Sequence, residues 1–112
     1  MANGAIDPAA LQEIFGDDDE SINELLQSFI DPSRNIILEI QTAYNQHSAE
    51  GVQMAAHKLK SAARSVGANQ LADTCVALEA AGKNEEWEVI DREVESLDPQ
   101  MLEVKKYIES FA

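Results

Sequence analysis

Residues 55–67 read AAHKLKSAARSVG, and the spacing of their apolar side chains decides the local fold. At about 100° per residue, Leu59, Ala63 and Val66 fall on one side of an α-helix. Alanines make up much of that side, so the helix can pack closely against its neighbours. His57 falls on the opposite side, and we therefore expect it to face solvent.

Two helices are predicted before this stretch. The first is short, with Asp7 as its N-cap, Pro8 at its first position and Gly16 at its end. An acidic run, DDDE, follows it and places negative charge at a helix N-terminus, where the helix dipole favours it. Asp18 or Asp19 is the candidate cap of the second helix.

The second helix keeps one apolar face from Ile22 to Tyr44. Pro32 lies within this pattern, and a proline inside a helix kinks or breaks it. Because the apolar face keeps its phase across the proline, we predict one kinked helix here and not two separate ones.

A third and a fourth helix are predicted on either side of a short connection at Gly67. The third helix is predicted from Ala49 to Val66, with Gly67 as a left-handed cap. Asn69 is the candidate cap of a fourth helix, and Gly82 is its predicted end.

The last helix is predicted to open at Asn84, and its apolar residues recur at intervals of three and four from Trp87 to Phe111. Pro99 interrupts it and leaves open whether the helix kinks or breaks. The pattern shows no strand signals and no repeats. The sequence therefore predicts an all-α fold, an antiparallel four-helix bundle with a short additional N-terminal helix, in one domain over residues 1–112.

The composition narrows the function classes. The formal net charge is -13, which disfavours nucleic acid and anionic membranes as partners. The N-terminal MANGAID lacks the features of a secretion signal, and no apolar run approaches the roughly 20 residues that span a bilayer. The single cysteine, Cys75, cannot form an internal disulfide. We expect a cytoplasmic protein.

Positive charge gathers around one histidine of this acidic chain. Residues 54–84 hold four cations and two acids, a balance of +2, so the remaining residues carry -15. Lys60 and Arg64 share the helix face of His57, and Lys58 lies on its flank. Cations beside an imidazole favour the neutral ring, which is a nucleophile, and they stabilise an anionic group that the ring acquires. This combination is typical of a histidine that accepts a phosphoryl group.

The stretch AHKLKSAARSVGANQLADTCVALEAAGK, residues 56–83, resembles the histidine-containing phosphotransfer (Hpt) domain of multistep phosphorelays. The family pattern is roughly H-x-L-K-G-[AS]-[AS]-x-x-[LIV]-G, followed after a short helix by LE or LQ. The matching residues are His57, Leu59, Lys60, Ala62, Ala63, Val66, Gly67, Leu78 and Glu79. LQEIFGDDDESINELLQSFIDPS, residues 11–33, is similar to the family's first two helices, so the resemblance covers nearly the whole chain.

The resemblance implies a role for each matching position. His57 would be the phosphorylated residue, Lys60 would neutralise the phosphoryl oxygens, and Glu79 from the neighbouring helix would orient the imidazole. Lys83 matches a position that is often basic and contacts the partner. Ser61 stands where the family usually has glycine. The predicted partner-binding residues are Met54, Lys58, Ser61, Arg64 and Lys83.

The resemblance also implies the partners. These would be response-regulator receiver domains and hybrid sensor histidine kinases, with Mg²⁺ held by the receiver and no cofactor or metal on this chain. The family's single-domain members suggest a monomer, and the chain is expected to be a phosphorylated intermediate without autokinase activity. Because Ser61 departs from the family pattern, a second reading stays open: a helical adaptor that docks receiver or kinase domains without being phosphorylated.

Overall fold

The computed structural model describes residues 6–16 and 18–111. The helices are α1 (Pro8–Phe15), α2 (Asp19–Asn45), α3 (Ala49–Ser65), α4 (Asn69–Asn84) and α5 (Trp87–Phe111). Around the bundle, α2 packs against α3, α3 against α4, α4 against α5 and α5 against α2. The short α1 packs on α2. No strand occurs in the described ranges. The predicted all-α bundle with a short leading helix is confirmed.

The first helix begins and ends where the sequence predicts. The Asp7 carboxylate accepts a hydrogen bond from the Ala9 amide at 3.0 Å, and Pro8 follows the cap. Gly16 ends the helix at a φ of 63°, which glycine adopts without steric cost. The Asp7 amide donates to the Gly67 carbonyl at 2.8 Å, so the start of α1 is tied to the connection between α3 and α4.

The second helix is continuous for 27 residues, with Pro32 exposed inside it. This confirms the prediction of one long helix. Its cap is Asp18, whose carboxylate accepts from the Ser21 amide at 3.2 Å. That contact decides between Asp18 and Asp19, and Asp17 of the same acidic run lies outside the described residues.

Two predictions about α4 are wrong. Asn69 is the first residue of α4 and not its cap, and the cap position belongs to Ala68, which offers no side-chain hydrogen bond. Gly82 does not end the helix, which continues to Asn84, and it lies where α4 comes close to α3. A Cβ at this position would lie 2.8 Å from the Ala49 carbonyl oxygen and 2.9 Å from the Gln53 amide nitrogen. The glycine therefore allows two backbones to meet, which a single-helix pattern does not reveal.

The start of the last helix also differs from the prediction. Asn84 is the final residue of α4, and Glu85 ends that helix in the left-handed conformation at a φ of 55°. The last helix then begins at Trp87 and continues without a break through Pro99. The side chain of Phe111, counted in its apolar face, lies outside the described side chains. Within the described ranges, no helix is long and apolar enough to cross a bilayer.

Small residues line the contact between α3 and α4. The buried residues of α3, which packs on both α2 and α4, are Val52, Ala55, Ala56, Leu59 and Ala63. Those of α4 are Leu71, Ala72, Thr74, Cys75, Leu78, Ala81 and Gly82. Because alanine and glycine keep the helix axes close, a side chain on the outer face of α3 can reach one on α4. The end of α3 is also as predicted, since Gly67 follows it with a φ of 75°.

Candidate functional site

The imidazole of His57 stands midway along α3, on the side that faces solvent. Its side chain is 60% exposed, whereas Leu59, two residues later, is fully buried. The rotational position predicted from the helical period is therefore confirmed. An exposed ring in the middle of a rigid helix is open to a second protein but has little freedom to move away.

Three side chains form a hydrogen-bonded chain across α3 and α4. The Nδ1 atom of His57 lies 2.9 Å from Oε2 of Glu79, and the Lys60 ammonium donates to Oε1 of the same carboxylate at 2.5 Å. The exposed fraction of the side chain decreases from His57 to Glu79, at 26%, and Lys60, at 18%. Each carboxylate oxygen therefore has its own donor.

The ionisation of Glu79 fixes which ring nitrogen of His57 is available. The hydrogen bond from Lys60 lowers the pKa of Glu79 below its ordinary value, and the bond from His57 adds to this against the opposing effect of partial burial. The carboxyl group is therefore ionised at neutral pH and can only accept hydrogen bonds. In the neutral ring, the proton must lie on Nδ1, and Nε2 carries the free lone pair. The arrangement exposes a nucleophilic nitrogen whose ring is held by its other nitrogen.

The structure gives Lys60 a partner that sequence reasoning missed. Its ammonium is already bound to Glu79, although two donor protons remain for another anion. Both residues were identified separately by the family pattern, but the bond between them depends on how α3 and α4 are aligned.

The other predicted site residues surround His57 in different ways. Lys58 pairs with Glu39 of α2 at 2.6 Å, whereas Arg64 is exposed and has no carboxylate within ion-pair distance among the described residues. The Ser61 hydroxyl lies 3.4 Å from the His57 carbonyl oxygen of its own helix. Lys83 is exposed one turn beyond Glu79 on α4.

An open apolar groove of about 790 Å³ lies between α2 and α3 and ends beside His57. Met54 projects into solvent along it with 63% of its surface exposed, and Leu38 of α2 does so with 59%. Met54 was predicted as a contact residue, but Leu38 and Glu39 were not. The sequence signal for Leu38 was an apolar residue that falls outside the regular apolar face of its helix.

Comparison with known protein families shows the family to which this chain belongs. The sequence profile of the Hpt domain matches residues 24–111, most of the chain. The chain belongs to the Hpt domain family. Members of this family carry phosphoryl groups between proteins of two-component signalling systems and are not kinases, so this Hpt domain is a phosphotransfer intermediate of such a system.

A solved structure shares the fold. The crystal structure of histidine-containing phosphotransfer protein B (HptB) from Pseudomonas aeruginosa PAO1 superimposes with a TM-score of 0.89. The match covers 97% of this chain and 95% of that chain, at 19% sequence identity. Curated proteins provide no sequence match.

The second histidine of this Hpt domain has different surroundings. His47 lies in the connection between α2 and α3 at a φ of 57°, and its ring stacks on Trp87 with centroids 3.8 Å apart. One ring face is therefore covered, and Trp87, the first residue of α5, also packs against the core. Among the described residues, no group of three or more His, Cys, Asp or Glu side chains is placed to hold a metal ion.

We expect Cys75 to be unreactive in the folded Hpt domain. Burial raises the pKa of its thiol to about 12, and the nearby Glu79 carboxylate acts in the same direction. Because the thiolate is the nucleophile, alkylation by iodoacetamide near pH 8 should be about a thousandfold slower than for an ordinary thiol. Mass spectrometry of samples treated with and without urea checks this. A native rate close to the rate in urea would contradict it.

Proposed function

We propose that this Hpt domain is a phosphorelay intermediate that is phosphorylated on Nε2 of His57. The group would come from the aspartyl phosphate of a receiver domain and pass to the receiver of another response regulator. The observation that carries the proposal is the exposed ring whose Nδ1 is bound to Glu79, at 2.9 Å, in a domain of this family. That contact leaves the other nitrogen free to attack phosphorus.

The transfer requires no proton movement on this chain. The lone pair of Nε2 forms the N–P bond while the bond between phosphorus and the acyl oxygen breaks, and its electron pair returns to the receiver's carboxylate. Passing the group onward reverses these steps. Mg²⁺ in the receiver and the free donor protons of Lys60 would offset charge on the transferring group. We assign no cofactor, no metal and no autokinase activity to the Hpt domain itself.

The surface around His57 suits a protein partner with mixed chemistry. The apolar groove with Leu38 and Met54 offers area for burial, and Arg64 of α3 and Lys83 of α4 are exposed cations. Residues 54–84 balance to +2 while the rest of the chain carries -15, so the segment that contains His57 differs in sign from the remainder of the chain. Such asymmetry orients an approaching partner. The proposed partners are receiver domains and hybrid sensor histidine kinases. The Hpt domain would bind them as a monomer in the cytoplasm, with no role for nucleic acid or membrane.

A phosphotransfer assay tests this proposal. Purified receivers, phosphorylated beforehand with labelled phosphate, are mixed with the Hpt domain in the presence of Mg²⁺. We expect acid-labile, base-stable label on the Hpt domain from at least one receiver, as phosphohistidine requires. If receivers that are competent donors to another Hpt protein bind this chain without labelling it, the protein is an adaptor. Ser61, in place of the family glycine, is the feature that favours that alternative.

We expect Ser61→Gly to quicken phosphotransfer severalfold. Ser61 is exposed one turn from His57, and its hydroxyl faces a carbonyl of its own helix, so its effect on a docking partner is added bulk. The change costs about 0.5 kcal/mol of helix stability. Ser65→Gly, at the end of the same helix, is the matched control and should lower stability without changing the rate. Transfer slower than in wild type at equal folded fraction would show that the hydroxyl takes part instead.

A further inference from the structure

Glu79 accepts hydrogen bonds from two different donors, and this limits which residue type can occupy position 79. His57 donates to one oxygen and Lys60 donates to the other. A glutamine has an acceptor oxygen at only one of these two terminal positions, so in the observed geometry its amide nitrogen would meet one of the donors. An ionised carboxylate presents an acceptor to each of them. The site therefore places a full negative charge against Nδ1, beyond what orientation of the ring requires.

The charge at Nδ1 becomes important once the ring is phosphorylated. With the N–P bond formed on Nε2 and the proton retained on Nδ1, the ring is cationic. When the group leaves, the N–P electron pair returns to Nε2 and the product is neutral imidazole. If Nδ1 has lost its proton, the leaving group must be imidazolate, a much stronger base and a poor leaving group. Reactivity of the phosphorylated state therefore depends on whether Nδ1 keeps its proton.

We propose that the negative charge of Glu79 holds the Nδ1 proton on phosphorylated His57 and thereby keeps the N–P bond reactive. This inference rests on the proposed function and deepens it, because it assigns the lifetime and transfer potential of the phosphorylated state to one side chain. Glu79 acts here as a positioning residue, since it touches the ring and not the phosphorus.

Lys60 has a separate part in this arrangement. Its ammonium fixes the second carboxylate oxygen, and its side chain is the least exposed of the three, so it limits the positions that Glu79 can take. As a cation, however, it partly offsets the charge that the ring experiences. Removal of Lys60 and removal of the Glu79 charge therefore break the same contact but act on the Nδ1 proton in opposite directions.

The test uses the full chain, phosphorylated chemically with potassium phosphoramidate so that no receiver is needed. Hydrolysis of phosphohistidine is followed from about pH 5 to pH 9 by ³¹P NMR for wild type and Glu79→Gln. An opposite charge at hydrogen-bond distance shifts such a proton equilibrium by about one unit or more. We therefore expect the midpoint of the pH–rate profile of Glu79→Gln to move about one unit lower. Near pH 8 its hydrolysis should then be about tenfold slower, and the two rates should converge in acid. Throughout this range above pH 5 Glu79 stays ionised, because its pKa lies below the ordinary value.

Two further variants separate charge from disruption. Lys60→Gln breaks the bond to Glu79 but leaves the carboxylate, so its midpoint should stay at or above that of wild type. Glu50→Gln removes an exposed carboxylate from α3, two turns away from His57, and its profile should superimpose on wild type.

Coincident profiles of wild type and Glu79→Gln would overturn the inference. So would a rate change of equal size at every pH, which orientation alone would produce. If receivers label His57 but these profiles coincide, the inference fails and the proposed function stands. If the profiles shift as expected but no receiver labels the chain, the proposed function fails alone.

Discussion

His57→Gln is expected to abolish phosphorylation while the bundle stays folded. The imidazole is 60% exposed and lies opposite the buried face of α3, so its loss removes no core contact. Surface substitutions of this kind usually change stability by no more than about 0.5 kcal/mol. Glutamine has no ring nitrogen, and its amide nitrogen has no free lone pair with which to attack phosphorus. Transfer should therefore fall to background in the receiver assay, with an unchanged circular dichroism spectrum and thermal midpoint.

His47→Gln is the matched control for this variant. It removes the other histidine of the chain, which lies in a connection and stacks on Trp87. This variant should lose some stability, because the aromatic contact is lost, but keep its label at equal folded fraction. Label that persists on His57→Gln, or that disappears from His47→Gln, would show that the phosphorylated residue has been misassigned.

Gly82→Ala is expected to show the largest loss of stability among the substitutions considered. The added Cβ would lie 2.8 Å from the Ala49 carbonyl oxygen and 2.9 Å from the Gln53 amide nitrogen. Both are backbone atoms, which cannot rotate aside, so α3 and α4 must separate at this point. Overpacking of this kind costs about 1–3 kcal/mol. Urea denaturation of the variant and wild type measures it.

The same substitution is expected to slow phosphotransfer. Gly82 follows Glu79 by three residues on α4, so separation of the helices here lengthens the contact between Glu79 and His57. Transfer in the folded fraction should drop several-fold. The control is Ala80→Gly at an exposed position of α4, which should cost about 1 kcal/mol through helix propensity and leave transfer unchanged. Propensity by itself would make Gly82→Ala stabilising, so a more stable variant would contradict the close approach of the helices.

Local features of the molecule were predictable from the sequence. The exposure of His57 follows from the rotation per residue within one helix, and the continuity of α2 through Pro32 follows from the phase of a single apolar face. Both depend on neighbours along the chain, which the sequence states directly. The cap at Asp7 and the glycines that follow α1 and α3 are of the same kind.

The incorrect predictions arise from a residue that contacts a second helix. The sequence predicts a helix end at Gly82 because glycine commonly follows the last turn, but here its missing side chain lets α4 approach α3. That misplaced end led to the wrong start for the last helix, since Asn84 still belongs to α4. A pattern along one chain does not distinguish a glycine that ends a helix from one that contacts another.

The helical periodicity of the sequence therefore predicts the bundle and the exposed histidine, and the family pattern adds Lys60 and Glu79 but not Leu38 or Glu39. The packing of the helices establishes which of these side chains bond to each other: Glu79 binds both His57 and Lys60 across 22 and 19 residues of sequence, and Lys58 reaches Glu39 on α2. It also placed Leu38 in the groove beside His57. These contacts depend on how far each helix is shifted and rotated against the next. Packing of small side chains across the interface sets that alignment, which cannot be deduced from residue spacing within one helix.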